Sequence, residues 1–83
     1  MRLATGADLI THVEFSPDGK LLVAAGGSPA RFGLLTVFDM ATFKVVSTRR
    51  VSGDTVFRGA FSPDGKSIAL GGADGAIHIV PLE

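Results

Sequence analysis

The chain has 83 residues, 46% of them hydrophobic, with eight Lys and Arg balanced by eight Asp and Glu and with no Cys. That neutral balance gives no electrostatic reason to expect nucleic acid, an anionic membrane or an acidic substrate, and the lack of Cys excludes disulfide staples and thiolate metal sites. A domain this small buries only roughly 60 to 65% of the surface its unfolded chain exposes, so its stability is thin unless something covers its apolar faces.

The first residues, "MRLATGADLITH", hold no long apolar run, and the longest apolar stretch, Leu21–Ala25, is too short to cross a bilayer. A soluble, unprocessed, cytoplasmic chain is the expectation. Segments rich in Val, Ile, Leu, Phe and Thr then follow at about Ile10–Phe15, Leu21–Ala25, Leu34–Phe38, Lys44–Arg50, Val56–Phe61, Ser67–Leu70 and Ala76–Val80. Clusters of Gly, Pro, Asp and Ser separate them, and none keeps helical spacing, so the fold class is all-β.

The first two segments are joined by "FSPDGK" (Phe15–Lys20), and the same hexapeptide returns at Phe61–Lys66. In Ser16-Pro17-Asp18-Gly19 and Ser62-Pro63-Asp64-Gly65 the serine can bond back to the turn and proline presets φ. Aspartate tolerates the bridge region, and glycine takes the left-handed one. Both are read as hairpin turns; an anion cradle would need a helix N-terminus behind the loop, and strands flank these. Asp74-Gly75 is a second hairpin signal, read as a two-residue turn with positive φ at both centres. Asp39–Thr42 joins the third segment to the fourth.

Aligning the hexapeptides sets Ile10 on Val56, Leu22 on Ile68 and Gly26 on Gly72. "GLLTVFDM" (Gly33–Met40) then matches "GAIHIVPL" (Gly75–Leu82) once the first copy is allowed an insertion within Ser28–Phe32. The chain therefore reads as two copies of one supersecondary unit that cannot bury its faces alone.

"ITHVEFSPDGKLLVAAGG" followed by "LLTVFD", and "VFRGAFSPDGKSIALGGADGAIHIV", resemble WD40 repeats, and together they cover nearly the whole chain. The resemblance implies four-stranded antiparallel blades of a β-propeller, with strand a nearest the central axis and strand d outermost. The first copy supplies strands a to d and the second a to c. Arg2–Thr5 aligns with the end of Lys44–Arg50 and is read as a stray strand d. The division is thus 1–6 for that strand, 7–50 for blade 1 and 51–83 for blade 2.

The copies also depart from the family pattern. The Trp-Asp pair is Phe38-Asp39 in one copy and Val80-Pro81 in the other, and the Gly-His pair before strand a is Thr5-Gly6 and Val51-Ser52. The family's buried Asp-His-Ser-Trp network is therefore not carried over. Asp74 matches its turn aspartate but is expected to lack a histidine partner.

Two blades cannot close a propeller that needs roughly four to eight. The expected partner is the chain itself, in a head-to-tail ring where the N-terminal strand of one subunit completes blade 2 of the next. Four chains making eight blades is the first choice, and three making six the second. Other proteins are expected on the face shared by the loops before strand a and between strands b and c. Arg31 and Phe32 of the insertion lie there, with Asp54, Thr55, Phe57 and Arg58. Arg58 and His12 would repeat around the channel mouth as an anion site.

No nucleophile with a base, carboxylate pair or metal cluster stands out. His12 and His78 are read as packed or surface imidazoles without acidic partners, and Asp8 and Asp54 as turn caps. No catalytic residue, cofactor or metal is expected, nor a nucleic-acid or membrane partner. Three roles follow: a self-assembling structural or protein-binding scaffold; a fragment or engineered unit of a larger propeller; or a binder of a small ligand or anion in the channel.

Overall fold

The computed structural model describes residues 1–82; Glu83, assigned above to blade 2, lies outside the described residues. Seven strands form two antiparallel sheets. The first holds β1 (Leu9–Phe15), β2 (Leu21–Ser28), β3 (Phe32–Asp39) and β4 (Lys44–Ser52) in that order. The second holds β5 (Val56–Phe61), β6 (Ser67–Gly72) and β7 (Ile77–Pro81). The described residues contain no helix. β2 runs past its expected end because Gly26, Gly27 and Ser28 still pair with both neighbours or with β3.

The two hexapeptide turns are built alike. Gly19 N–H donates to Ser16 O at 2.9 Å and Gly65 N–H to Ser62 O at 2.9 Å, with the glycines left-handed at φ 74 and 73. Ser16 Oγ donates to Asp18 Oδ1 and Ser62 Oγ to Asp64 Oδ1, both at 2.6 Å. The same carboxylate oxygens accept the Lys20 and Lys66 N–H groups at 2.9 and 3.0 Å. These bonds hold both carboxyls below the usual range, the serine hydroxyl contributing most and the lysine N–H next.

The Asp74-Gly75 hairpin differs from expectation. Among the described non-glycine residues only Ala30 and Phe43 have positive φ, so Asp74 is not left-handed. The reversal is instead closed by Gly75 N–H on Gly72 O at 3.2 Å, with Gly75 alone at φ 77. Asp74 Oδ1 accepts Ala76 N–H at 3.0 Å. That side-chain bond makes the turn with one left-handed residue and spares the aspartate the steric cost.

Both copies carry a β-bulge at the same place, between Ile10 and His12 in β1 and between Val56 and Arg58 in β5. The extra residues are Thr11 and Phe57. Opposite each bulge a glycine passes close under the incoming backbone: Gly26 beneath Leu9 and Ile10, and Gly72 beneath Thr55 and Val56. A Cβ on Gly72 would stand 2.6 Å from Thr55 O, so the pinch needs glycine.

Alternate residues of each strand face opposite sides. Val23, Ala25, Leu35 and Val37 of the first sheet meet Val56, Ile68, Leu70 and Val80 of the second in one buried core. Thr11 Oγ1 crosses the gap to donate to Val56 O at 2.5 Å, and Arg49 Nη1 donates to Pro81 O at 2.7 Å. The other face of each sheet looks outward. On the first, Val13 and Phe15 are exposed; on the second, Ile77 and Ile79 are 77% and 66% exposed. Residues 1–8 pair with no strand among the described residues, and Gly6 lies over the Leu34 side chain.

Candidate functional site

Antiparallel topology sends the two hexapeptide turns to one end of the molecule and the β2–β3, β4–β5 and β6–β7 connections to the other. Asp54, between β4 and β5, organises that second end. Its Oδ1 accepts Thr55 N–H at 2.7 Å and reaches into the inserted loop to accept Ala30 N–H at 2.8 Å. Ser52 Oγ donates to Asp54 O and so ties down the end of β4. Asp8 holds the other side of the loop: its Oδ2 accepts Ser28 Oγ–H at 2.6 Å, and its N–H donates to Gly27 O at 3.0 Å. Thr55 O accepts Ala73 N–H at 2.9 Å, which brings the β6–β7 loop into the same cluster.

The inserted loop is itself a tight turn. Arg31 N–H donates to Ser28 O at 3.0 Å, Pro29 occupies the position that favours its fixed φ, and Ala30 is left-handed at φ 62. The turn leaves Arg31 exposed and Phe32 half-buried. Arg50 of β4, whose backbone pairs with Leu34, lays its guanidinium over the Phe32 ring at 4.5 Å from the centroid. Asp54 thus holds the turn that Arg31 closes, and Arg50 stacks on the Phe32 that follows it.

Phe57 and Arg58 do not join that cluster. They belong to the β5 bulge on the inner edge, Phe57 47% exposed and Arg58 exposed. His12, at the equivalent place in β1, faces the second sheet's side. It has an acidic partner after all: Nε2 lies 3.0 Å from Glu14 Oε1, since residues two apart share a strand face. His78 likewise stands with Nε2 2.7 Å from Asp74 Oδ2. The Asp74 carboxyl sits below its usual range, through the Ala76 N–H first and His78 second. The expectation of unpartnered histidines was wrong because the β6–β7 turn folds Asp74 back along the start of β7.

Arg50 was missed from the sequence. Its stacking depends on the β3–β4 register, which shifts between Gly33 and Leu34; the visible signal was only two adjacent arginines in a strand. Among the described residues the ion pairs within 4.0 Å are His12–Glu14 and His78–Asp74, so no arginine or lysine there reaches a carboxylate. Those residues also hold no group of three His, Asp or Glu arranged to take a metal ion. A cavity of about 600 Å³ lies at the opposite end between Asp18–Leu21 and Asp39–Ala41. One oxygen of each of its aspartates is already engaged in turn bonds, to Ser16 and Lys20 or to Ala41 and Thr42.

The family model for the WD domain, G-beta repeat (WD40), matches residues 2–28 and 43–80. Autophagy-related protein 16 of Arabidopsis thaliana is 31% identical over 84 residues, covering 96% of this chain and 16% of that protein. SEC12-like protein 1 of the same plant is 34% identical over 84 residues, covering 95% of this chain and 20% of its own length. WD repeat-containing protein VIP3, also from Arabidopsis thaliana, is 31% identical over 84 residues, with 86% and 25% covered. The chain spans a quarter or less of these relatives.

Proposed function

The chain belongs to the WD40 repeat family, and on that premise we propose that it is a non-enzymatic protein-interaction scaffold whose two blades are extended head to tail by further copies of the chain. One observation carries this reading. The outward face of the second sheet, Ala69, Gly71, Ile77 and Ile79, occupies the same repeat positions as Val23, Ala25, Leu35 and Val37, which the first sheet buries against its neighbour. Conversely, the outward Val13 and Phe15 of the first sheet stand where the second has Gly59 and Phe61, on the side it turns to the core. The packing seen once between the sheets therefore suits both outward faces when it is repeated, as a heterologous contact that closes into a ring.

Smaller features agree. Thr11, the bulge residue of β1, bonds across to β5, and its equivalent in β5 is the exposed Phe57. The second family match opens at residue 43, beside β4, and the first opens at residue 2. These openings support the reading of Arg2–Thr5 as an outer strand, for which the edge of β7 in the next copy would offer a ladder.

Native mass measurement tests the ring. Four chains making eight blades are expected, with three making six as the second choice, and Ile77→Asp should reduce either to single chains. A stable monomer, or a heterogeneous aggregate, would rule out the closed ring. It would favour a second reading, supported by the small share of each relative covered: the two blades are part of a longer propeller whose other blades cover these faces.

A further inference from the structure

We propose that Arg31, Phe32 and Arg50 form a docking site for an acidic peptide segment of a partner protein. The inference rests on the scaffold role proposed above and gives it a ligand chemistry. The Arg50 guanidinium lies over the Phe32 ring at 4.5 Å from its centroid, a cation–π contact that restrains a long side chain while Arg50 as a whole stays exposed. Arg31, the residue before Phe32, is exposed where it closes the inserted turn. Neither guanidinium has a carboxylate within 4.0 Å among the described residues, where the only ion pairs are those of the histidines. Two unpaired arginines, one stacked on Phe32 and the other next to Phe32 in the chain, offer the bidentate forks that carboxylates fit.

The loop is also held in advance. Ala30 keeps a left-handed φ of 62, unusual for a residue with a Cβ, and Asp54 Oδ1 fixes it by accepting its N–H at 2.8 Å. A strained backbone persists only where its surroundings hold it, and such strain gathers at binding sites. The Asp54 bond comes from the β4–β5 connection, so both blades set the position of Arg31.

The charges around the patch select a short acidic peptide over a polynucleotide. Asp8, Asp54 and Asp74 sit at the same end of the molecule, bound to Ser28, Ala30 and His78. They oppose a long phosphate backbone laid across this end, whereas a few carboxylates can meet the two arginines locally. The chain as a whole is neutral, which leaves no broad field to hold a polyanion.

Fluorescence anisotropy on the full chain tests this, with a labelled glutamate–glycine peptide, its glutamine–glycine counterpart and a single-stranded oligonucleotide of equal charge as probes. The glutamate peptide should bind and the glutamine peptide should not. Arg31→Ala and Arg50→Ala should each weaken binding roughly five- to tenfold. Arg50→Lys, which keeps the charge and loses the flat stack, should weaken it by a smaller factor. Equal binding of the glutamine peptide, tighter binding of the oligonucleotide, or unchanged binding by the Arg31→Ala/Arg50→Ala double variant would overturn the site. Native mass on the same samples separates the two readings: a monomer that binds the glutamate peptide loses the ring and keeps the patch, while a ring that ignores the peptide loses the patch alone.

Discussion

The two sheets are written in one repeat, yet equivalent side chains meet opposite fates. Leu35 is 1% and Val37 2% exposed, while their counterparts Ile77 and Ile79 are 77% and 66% exposed. The residue types barely differ, so burial here belongs to the pairing of faces and not to the strand. The difference can be broken directly. Leu35→Ala should cost about 2–5 kcal/mol of folding stability, through lost transfer energy and a cavity. Ile77→Ala, read at a concentration where native mass shows single chains, should change it by no more than about 0.5 kcal/mol. Urea unfolding of both variants at low concentration checks this; equal costs would mean that the outward face of the second sheet is already covered within one chain.

The bulges show the opposite relation, one in which the two copies agree. Gly26 and Gly72 each pass beneath the backbone entering the first strand of their sheet. Gly72→Ala would press a Cβ toward Thr55 O and the Val56 Cα and should destabilise by about 1–3 kcal/mol, the usual cost of overpacking. Gly53→Ala is the control. Nothing stands within 4 Å of a Cβ there and its φ is ordinary, so it should be neutral or stabilising by about 0.4–1 kcal/mol through the unfolded chain. Thermal melts of the pair decide it, and a neutral Gly72→Ala would show that the pinch opens freely.

What the sequence revealed follows the range of each interaction. The hexapeptide turns were legible because every bond in them lies within six residues of chain, from Ser16 to Leu21 and from Ser62 to Ser67. The seven strands were legible from β-rich runs, and the inserted loop from a failed alignment. Asp74-Gly75 misled, since its dipeptide fits a turn with two positive φ values and only the backbone shows one. The Arg50–Phe32 stack was out of reach because a shifted register decides which β4 residue lies beside which β3 residue. The Asp54–Ala30 bond joins residues 24 apart across two connections, and no local pattern announces it.

A smaller contrast lies within the repeat at Thr36 and His78, which occupy equivalent places in β3 and β7. His78 finds Asp74, while Thr36 is 1% exposed and its Oγ1 has no partner among the described residues. Thr36→Val keeps the shape and removes the orphaned hydroxyl, so it should stabilise the chain by about 1 kcal/mol. Chemical denaturation measures it. A loss of stability would mean that the hydroxyl is satisfied, and the contrast with His78 would close.

The smallest expected effect tests the similarity of the two hexapeptide turns. Asp18 and Asp64 both titrate below the ordinary value of 3.8, for the same reasons in the same order: the serine hydroxyl, then the lysine N–H. A carboxyl whose pKa is lowered by folding contributes stability that is fully present above the unfolded value and lost as pH falls through the folded one. Thermal stability should therefore hold steady as pH is lowered to about 4 and decline below it. Asp18→Asn and Asp64→Asn keep an oxygen for the turn bonds and remove the titration, so each should flatten that decline slightly and by the same amount. Both carboxylates are open to solvent, and the turns differ in their surroundings more than in their bonds, so unequal flattening would show that the neighbouring sheet acts on one turn and not on the other.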